Sequence, residues 1–291
     1  MIRSVALFPG QGSQFRGMGR DLFPRYPALV QQANDILGFS VEQLCLEDPG
    51  GGLLQTQWTQ PALFVVNALS WQEKFGDSGR VPDAAAGHSL GEFNALLAAG
   101  VFDFATGLAL VKKRGELMGR QSGGGMAAVI GLNADQVCKL LDEFAFDTLD
   151  IANYNSPEQV VISGPRRDIE DAAAIFAEIA KSRYVVLGVG GAFHSRYMRE
   201  AREEFAALLG SVQFRPPRFP VISNVSARPY MEADLRASLA GQISSPVRWM
   251  DAILYLHEQG ACDFHELGPG STLTRLLAQI APDIMQRAVA Q

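Results

Sequence analysis

Short apolar runs alternate with helical patterns of apolar residues through the first hundred positions of the chain. Residues 5–8 form an uninterrupted apolar run that stops at a Pro-Gly pair, which predicts a buried strand entering a loop. Residues 57–74 carry apolar side chains at three- and four-residue spacing, which predicts a helix. The small-residue run at 83–86 leads through Gly-His-Ser-Leu-Gly at 87–91 into another helical pattern at 93–99. Strand, tight turn and helix in this order indicate an α/β protein.

A second regular pattern lies between two glycine-rich segments, at 122–125 and 188–191. It predicts a strand, a helix, two strands joined by an Asn-Ser-Pro turn, a helix and a strand, at 126–132, 134–144, 148–154, 159–163, 168–181 and 183–189. The order β-α-β-β-α-β is that of a ferredoxin-like unit.

We expect this unit, residues 125–192, to be a small subdomain inserted into a larger α/β subdomain made of residues 1–124 and 193–291. Alternating strands and helices in the flanking segments predict a mostly parallel sheet in the large subdomain. After the insert, further strands are predicted at 219–222 and 263–266.

Composition narrows the class of protein. The chain has 291 residues, a formal net charge of −6 and 47% hydrophobic residues, which exclude disorder and leave ample material for a core. No window approaches eighteen consecutive apolar residues, and the negative charge argues against a nucleic-acid-binding surface. Cys45, Cys138 and Cys262 are far apart and lack C-x-x-C spacing, so neither a disulfide framework nor a zinc site is expected. We therefore expect a cytoplasmic protein without a bound metal.

The Gly-His-Ser-Leu-Gly sequence at 87–91 matches the G-x-S-x-G pattern of a nucleophile elbow. Such a turn lifts the serine hydroxyl into a cleft, and the following helix directs N–H groups at a developing oxyanion. The match alone is weak because Gly and Ser are common, but here it falls between a predicted strand and a predicted helix. We therefore expect Ser89 to be a nucleophile.

A nucleophilic serine needs a base, and the chain has four histidines. His88 adjoins Ser89 and is a poor base for it, because successive side chains on a turn point apart. His257 lies in a predicted helix, and His265 near a strand end fits either a structural or a catalytic role. His194 follows a Gly-Gly-Ala-Phe segment, where an imidazole is either a satisfied core group or a base aimed at a cleft. The need for a base favours His194.

The order of these residues argues against a plain esterase or lipase. An ordinary α/β-hydrolase has a late His and an HGGG-like oxyanion loop. Here His194 lies before the last ninety residues, and the chain contains no HGGG sequence.

The helical pattern over 103–120 places Arg114 beside an apolar stripe. A guanidinium among apolar side chains is unfavourable unless an anion meets it, ideally in bidentate geometry. Two interpretations are open at this point. One is a structural ion pair with Glu116, Glu92 or another internal carboxylate, and the other is a clamp for a substrate carboxylate.

Seven motifs together resemble the malonyl-CoA:acyl-carrier-protein transacylase family over nearly the whole chain. They are Phe-Pro-Gly-Gln-Gly-Ser-Gln at 8–14, Thr-Gln-Pro-Ala-Leu at 59–63, Gly-His-Ser-Leu-Gly-Glu at 87–92, Arg-Gly-Glu-Leu-Met at 114–118, Asn-Ser-Pro-Glu-Gln-Val at 155–160, Ala-Phe-His-Ser at 192–195 and Glu-Leu-Gly-Pro-Gly at 266–270. Details at 111–117, 124–131 and 245–249 look most similar to the free-standing, trans-acting acyltransferases of modular polyketide synthases, of the disorazole synthase type.

The resemblance implies a hydrolase-like large subdomain with a ferredoxin-like insert, in agreement with the pattern above. It implies that Ser89 takes malonyl from coenzyme A as an ester, and that His194 is its general base and then the acid for the departing thiol. By the same resemblance, Arg114 would pair with the free malonyl carboxylate. Backbone N–H groups of Gln11 and Leu90 would form the oxyanion hole.

Two further positions follow from the resemblance. Phe193 belongs to the family's Ala-Phe-His signature, which is associated with malonyl rather than methylmalonyl because the ring would crowd an α-methyl group. Leu90 after the nucleophile agrees with that choice. Arg248 stands where the fatty-acid enzymes have a Gln that helps to orient the catalytic His. Since a guanidinium has no acceptor atom, only the backbone carbonyl of Arg248 could accept a hydrogen bond from the imidazole N–H. The polyketide-type enzymes share this Arg.

The expected function is therefore transfer of malonyl from malonyl-CoA to the phosphopantetheine thiol of an acyl carrier protein, by a ping-pong mechanism, for polyketide biosynthesis. No bound cofactor is expected, and the partners would be carrier proteins or carrier domains rather than nucleic acid or membrane. The alternative is an acyl hydrolase that clears carriers with the same Ser and His. Arg114 favours malonyl transfer, because a hydrolase of uncharged acyl chains gains nothing from a buried cation. A silent carrier-binding module would be expected to lose Ser89 or His194.

Carrier proteins are acidic, so local basic clusters are candidate docking sites. The chain has three, at Lys112–Lys113, Arg166–Arg167 and Lys181–Arg183. Each fits a solvated surface equally well. The two in the ferredoxin-like insert are favoured, because such a subdomain can form one wall of the cleft.

Overall fold

The strands form two separate four-stranded sheets in the computed structural model, which describes residues 1–282. The strands are β1 (Ser4–Phe8), β2 (Ala84–Gly87), β3 (Gly124–Ile130), β4 (Asp150–Ser156), β5 (Gln159–Pro165), β6 (Arg183–Val186), β7 (Val221–Ile222) and β8 (Asp263–Glu266). One sheet has the order β7-β2-β1-β8 and is entirely parallel. The other has the order β4-β5-β3-β6 and is entirely antiparallel.

Twelve α-helices within residues 1–282 surround these sheets. They are α1 (Pro27–Leu37), α2 (Val41–Glu47), α3 (Thr56–Trp71), α4 (Gly91–Ala98), α5 (Phe104–Gly119), α6 (Ala134–Glu143), α7 (Arg166–Asp171), α8 (Ala173–Ala177), α9 (Arg199–Gly210), α10 (Leu235–Gly241), α11 (Trp249–Glu258) and α12 (Thr272–Ile280). In the part of the chain that the structure describes, no helix is both long enough and apolar enough to cross a membrane.

The parallel sheet is covered on both faces, which explains why β1 is an uninterrupted apolar run. Alternate side chains of a strand point to opposite faces. Accordingly, Ala6 and Phe8 pack into the larger core with α3, α4 and α5. Val5 and Leu7 pack into a second core with α11 and α12. β1 pairs in parallel with β2, so the carboxyl ends of both strands lie side by side at the start of the turn at 87–91.

The antiparallel sheet has the connections of a ferredoxin-like unit, and the predicted α/β fold class is confirmed. Helices α6, α7 and α8 cover one of its faces through a core that includes Val137, Ile169 and Phe176. Met126 and Ala128 on β3 belong to the larger core, on the side that faces the large subdomain. Strands before and after this unit together form the parallel sheet, as expected for an insertion. The end of the expected last segment, 283–291, lies outside the described residues.

Some predicted elements differ in extent. The predicted helix at 168–181 is two short helices, α7 and α8, which end at Ala177. A turn replaces its last part, in which Ser182 N–H donates to Ile179 O at 2.9 Å. The predicted strand at 219–222 is reduced to Val221–Ile222, since Pro220 has no N–H for a ladder. Its carbonyl still accepts from Ala85 N–H at 2.9 Å.

A backbone contact joins the outer edge of the antiparallel sheet to the second half of the large subdomain. Tyr154 N–H donates to Val247 O at 2.9 Å, and Val247 N–H donates to Ala152 O at 2.8 Å. The segment around Val247 therefore lies beside β4.

Candidate active site

Ser89 occupies a sharp turn between β2 and α4 with a positive φ of 50°. Residues other than Gly rarely adopt this left-handed conformation, so its presence indicates a constrained turn. Two glycines permit the turn. A Cβ on Gly91 would lie 2.0 Å from Phe8 O, and a Cβ on Gly87 would lie 1.9 Å from Gly91 C. The close approach of β1, β2 and α4 therefore requires glycine at both flanks of the serine.

Asn224, in the loop after β7, holds this turn in place. Its side-chain oxygen accepts the Ser89 N–H at 2.7 Å, and its side-chain nitrogen donates to Gly87 O at 2.7 Å. Asn224 is 1% exposed, and its side chain satisfies one donor and one acceptor of the turn backbone. The serine conformation is therefore fixed from both sides.

His194 lies directly against the Ser89 hydroxyl. Its Nε2 is 2.7 Å from Ser89 Oγ, and its Nδ1 is 2.8 Å from the Gln242 carbonyl oxygen. Because a carbonyl only accepts, Nδ1 carries the proton and Nε2 is free to accept the serine hydroxyl proton. Burial, reinforced by the Arg114 cation, lowers the pKa of His194 from 6.5 to about 3. The imidazole is therefore neutral near pH 7 and can act as a base.

The expectation that Arg248 orients this imidazole is wrong. Its carbonyl accepts the α11 hydrogen bond from Ala252 N–H at 3.0 Å, and its side chain pairs with Asp251, Nε to Oδ2 at 2.8 Å. Gln242, six residues earlier, provides the carbonyl instead. Val247 is bound to β4 and Gln242 is in a 3₁₀ turn, which directs the Gln242 carbonyl at His194.

Arg114 on α5 is 1% exposed and reaches the same hydroxyl. Its Nη1 donates to Gln60 Oε1 and its Nη2 to Gln242 Oε1, both at 2.6 Å, and Nη2 lies 3.1 Å from Ser89 Oγ. No carboxylate within residues 1–282 lies at salt-bridge distance from it, which argues against the structural ion pair. Burial lowers the pKa of Arg114 to about 10, so it remains charged at neutral pH. A buried cation held by two neutral amide oxygens retains its attraction for an anion.

The nearest buried acid, Glu92, lies behind Gln242. Its carboxylate accepts from Asn224 N–H at 2.8 Å, from Tyr230 OH at 2.7 Å and from Gln242 Nε2 at 2.6 Å. Burial raises the pKa of Glu92 to about 7, because desolvation outweighs these donors and the Arg114 cation.

A cleft of about 230 Å³ opens above these groups. Gln11, Leu90 and Phe193 line it together with Ser89 and His194. Within the described part of the chain, the backbone N–H groups of Gln11 and Leu90 have no acceptor. They are free to donate to an oxyanion. The Phe193 side chain is 6% exposed and forms part of the apolar wall.

His88 is directed away from the nucleophile, as expected of adjacent side chains on a turn. Its Nε2 lies 2.9 Å from Asn155 Oδ1, and its ring lies 5.5 Å from the Trp249 ring. Burial lowers the pKa of His88. Its contacts are structural.

A protein-family model described as an acyl transferase domain matches residues 5–289. The chain belongs to this acyltransferase family. It is 53% identical over 278 residues to the polyketide biosynthesis malonyl CoA-acyl carrier protein transacylase PksC of Bacillus subtilis (strain 168). The match covers 95% of this chain and 96% of that protein. The resemblance inferred from the seven motifs is confirmed.

Solved structures of relatives share the whole architecture. A malonyl CoA-acyl carrier protein transacylase from Burkholderia pseudomallei is 50% identical with a TM-score of 0.93, covering 97% of this chain and 99% of that one. A malonyl-transacylase in complex with a type II PKS acyl-carrier protein is 35% identical with a TM-score of 0.91, covering 96% and 93%.

The basic clusters of the acyltransferase differ in their contacts. Lys112 Nζ donates to Ile36 O at 3.0 Å and to Leu37 O at 3.3 Å, which satisfies the end of α1 and removes this lysine from the docking candidates. Arg166 and Arg167 form exposed pairs with Glu170 and Asp171, at 3.7 Å and 3.5 Å. Lys181 and Arg183 are exposed and have no carboxylate partner among residues 1–282.

Three site residues of the acyltransferase were missed or left without a role by the sequence interpretation. Gln242 and Asn224 lie in segments with no motif, and Gln60 lies inside the Thr-Gln-Pro-Ala-Leu motif without an assigned role. Among the described residues, no group of three His, Cys, Asp or Glu side chains could hold a metal ion.

Proposed function

We propose that this acyltransferase moves malonyl from malonyl-CoA to the phosphopantetheine thiol of an acyl carrier protein, in polyketide biosynthesis. The main support for the proposal is that His194 and Arg114 both contact the Ser89 hydroxyl. Ser89 Oγ lies 2.7 Å from the neutral His194 Nε2 and 3.1 Å from the charged Arg114 Nη2. A base and a carboxylate receptor are thus each one hydrogen bond away from the nucleophile. The named activities of PksC and the Burkholderia pseudomallei relative support it.

In the first half-reaction, His194 Nε2 takes the Ser89 proton while Oγ attacks the thioester carbonyl of malonyl-CoA. Free N–H groups of Gln11 and Leu90 would bind the resulting oxyanion. The intermediate collapses with cleavage of the C–S bond, and His194 returns the proton to the departing thiolate. The product is a malonyl ester on Ser89 and free coenzyme A.

The second half-reaction repeats these steps with the carrier thiol as the nucleophile. His194 takes the thiol proton, sulfur attacks the ester carbonyl, and the proton passes to the Ser89 oxygen as the ester bond breaks. One base serves both halves, because its Nδ1–H is held by Gln242 O throughout.

Malonyl selectivity would come from Arg114 and Phe193. The guanidinium would bind the free malonyl carboxylate, whose attraction is strong in a water-poor site. The Phe193 ring on the cleft wall would leave little space beside the α-carbon for a methyl group. Editing hydrolysis is the weaker function, because uncharged acyl chains would make no use of Arg114.

We also propose that residues 1–124 and 193–291 form one subdomain and 125–192 the other, with Lys181 and Arg183 on the small subdomain as the carrier contact. Their exposure and lack of a carboxylate partner in the described chain support this. Cys45, Cys138 and Cys262 are all free, which supports a reducing, cytoplasmic location.

The test measures where the acyl group goes. Isotope-labelled malonyl-CoA is incubated with the enzyme and a holo acyl carrier protein, and malonyl-carrier and free malonate are quantified over time. Transfer predicts that malonyl-carrier is the main product and that free malonate stays near the level without enzyme. Predominant malonate, or removal of acyl groups from a preloaded carrier, would show an editing hydrolase instead. Apo carrier, which has no thiol arm, is the matched control.

A further inference from the structure

A buried carboxylate lies near Arg114 without touching it. Glu92 is 0% exposed, and its negative charge acts on the Arg114 guanidinium. The Gln242 side chain lies between them. Its nitrogen donates to Glu92 Oε2 at 2.6 Å, and its oxygen accepts from Arg114 Nη2 at 2.6 Å. The acid and the cation are therefore connected through one neutral amide.

The contacts of Glu92 require a carboxylate rather than an amide. Its Oε1 accepts the Asn224 backbone N–H at 2.8 Å and the Tyr230 hydroxyl at 2.7 Å. Its Oε2 accepts from Gln242 Nε2. Because N–H donors lie at both oxygens, a side chain with a single acceptor oxygen would leave one of them facing another donor.

These contacts also set the orientation of the Gln242 amide. Its nitrogen donates one hydrogen to Glu92 Oε2 and the other to Ser89 O, at 2.7 Å. The amide oxygen is therefore directed at Arg114. A flipped amide would place its oxygen against two other oxygens and its hydrogens against the guanidinium, so Glu92 favours the orientation that Arg114 needs.

We infer that Glu92 is a positioning residue for Arg114: acting through the Gln242 amide, it fixes the guanidinium without occupying it. A carboxylate in direct contact would compete with an anionic substrate for the same N–H groups. Separation by an amide leaves the cation available. The inference rests on the proposed function, in which Arg114 binds the malonyl carboxylate.

The test compares loading of malonyl and acetyl onto Ser89 in the full chain, measured as kcat/KM for release of coenzyme A. Acetyl has no carboxylate and makes no use of Arg114, whereas His194 is held by the Gln242 backbone in both reactions. For Glu92→Gln, we expect the malonyl value to fall by about 10-fold to 100-fold, mainly through KM, and the acetyl value to change by less than about 3-fold.

Tyr230→Phe is the matched control. It removes a donor from the same carboxylate but leaves the charge, the Asn224 contact and the Gln242 contact in place. We expect its malonyl-to-acetyl ratio to equal that of the wild type. Equal losses for both substrates in Glu92→Gln, or the same ratio in both variants, would overturn the inference and leave Glu92 a structural residue.

A second variant keeps the test decisive if Glu92→Gln does not fold, as judged by circular dichroism. Gln242→Ala removes the linking amide and keeps the carbonyl that holds His194. It should lower the malonyl-to-acetyl ratio, and an unchanged ratio would contradict the inference. If the wild type itself shows no preference for malonyl, the proposed function fails. If the wild type prefers malonyl and the variants retain that preference, only the inference fails.

Discussion

Replacing His194 by Asn should change how the unfolding free energy of the acyltransferase depends on pH. Asn is the suitable substitute, because His194 has a φ of 58° and Asn tolerates this left-handed conformation better than most residues. The pKa of His194 is about 3 in the folded protein and 6.5 when exposed. Between these values the unfolded chain binds a proton that the folded protein does not. The contribution of His194 to stability is therefore present above pH 6.5 and is lost as the pH falls towards 3.

The size of the effect follows from the same two values. A pH of 4.5 is two units below the pKa of the imidazole in the unfolded chain. His194 therefore lowers the free energy of unfolding by about 3 kcal/mol between pH 7.5 and pH 4.5. Glu92 acts in the opposite sense. Its folded pKa of about 7 exceeds the ordinary 4.5, so stability is lost as the pH rises between these values. Glu92 is present in both proteins, so the difference between wild type and His194→Asn isolates the histidine.

The assay is urea unfolding, followed by tryptophan fluorescence, at pH 7.5, 6.5, 5.5 and 4.5. We expect the wild type to lose about 3 kcal/mol relative to His194→Asn between the first and last of these values. A difference between the two proteins that stays constant across this range would show that His194 is accessible to protonation in the folded state. The proposed neutral base would then be refuted.

Three other perturbations have distinct expected results. Arg114→Ala should weaken malonyl loading by about 100-fold or more and acetyl loading by much less, whereas equal losses in kcat/KM would make Arg114 a structural residue. Combined reversal of Lys181 and Arg183 to Glu should raise the KM for the carrier and leave malonyl loading of Ser89 unchanged; loss of both would contradict a docking role. Asn224→Ala leaves the Ser89 N–H without an acceptor and the buried Gly87 carbonyl without its donor, so thermal and urea unfolding should show a loss of about 2 kcal/mol, and an unchanged midpoint would argue against these bonds.

The nucleophile turn could be predicted because its determinants are contiguous. A strand, two glycines, a serine and a helix lie within a few residues, and the close approach of Gly91 to Phe8 leaves no alternative to glycine. The ferredoxin-like unit was predicted for a similar reason: its apolar runs are regular, and β4 and β5 are joined by a two-residue turn. The comparison with relatives confirms the family that these motifs indicated.

The partners of these residues could not be predicted in the same way. His194 is held by a backbone carbonyl 48 residues away, and every residue has a carbonyl, so no side-chain pattern distinguishes Gln242 from Arg248. Arg114 is bound by amide oxygens 54 and 128 residues away, on Gln60 and Gln242. Such distant neutral partners leave no local signal. Of the two interpretations that the sequence left open for Arg114, the internal ion pair is not present at contact distance within residues 1–282.

The central claim is that malonyl passes through an ester on Ser89, and intact-mass spectrometry tests it most directly. The purified protein is incubated with malonyl-CoA, its mass is measured, and the labelled peptide is located after proteolysis. A holo acyl carrier protein is then added, and Ser89→Ala and acetyl-CoA are run in parallel. The account predicts one malonyl group on the peptide that contains Ser89, its absence in Ser89→Ala, and its loss from the enzyme as the carrier gains it. A carrier that becomes malonylated equally fast by Ser89→Ala would contradict the account.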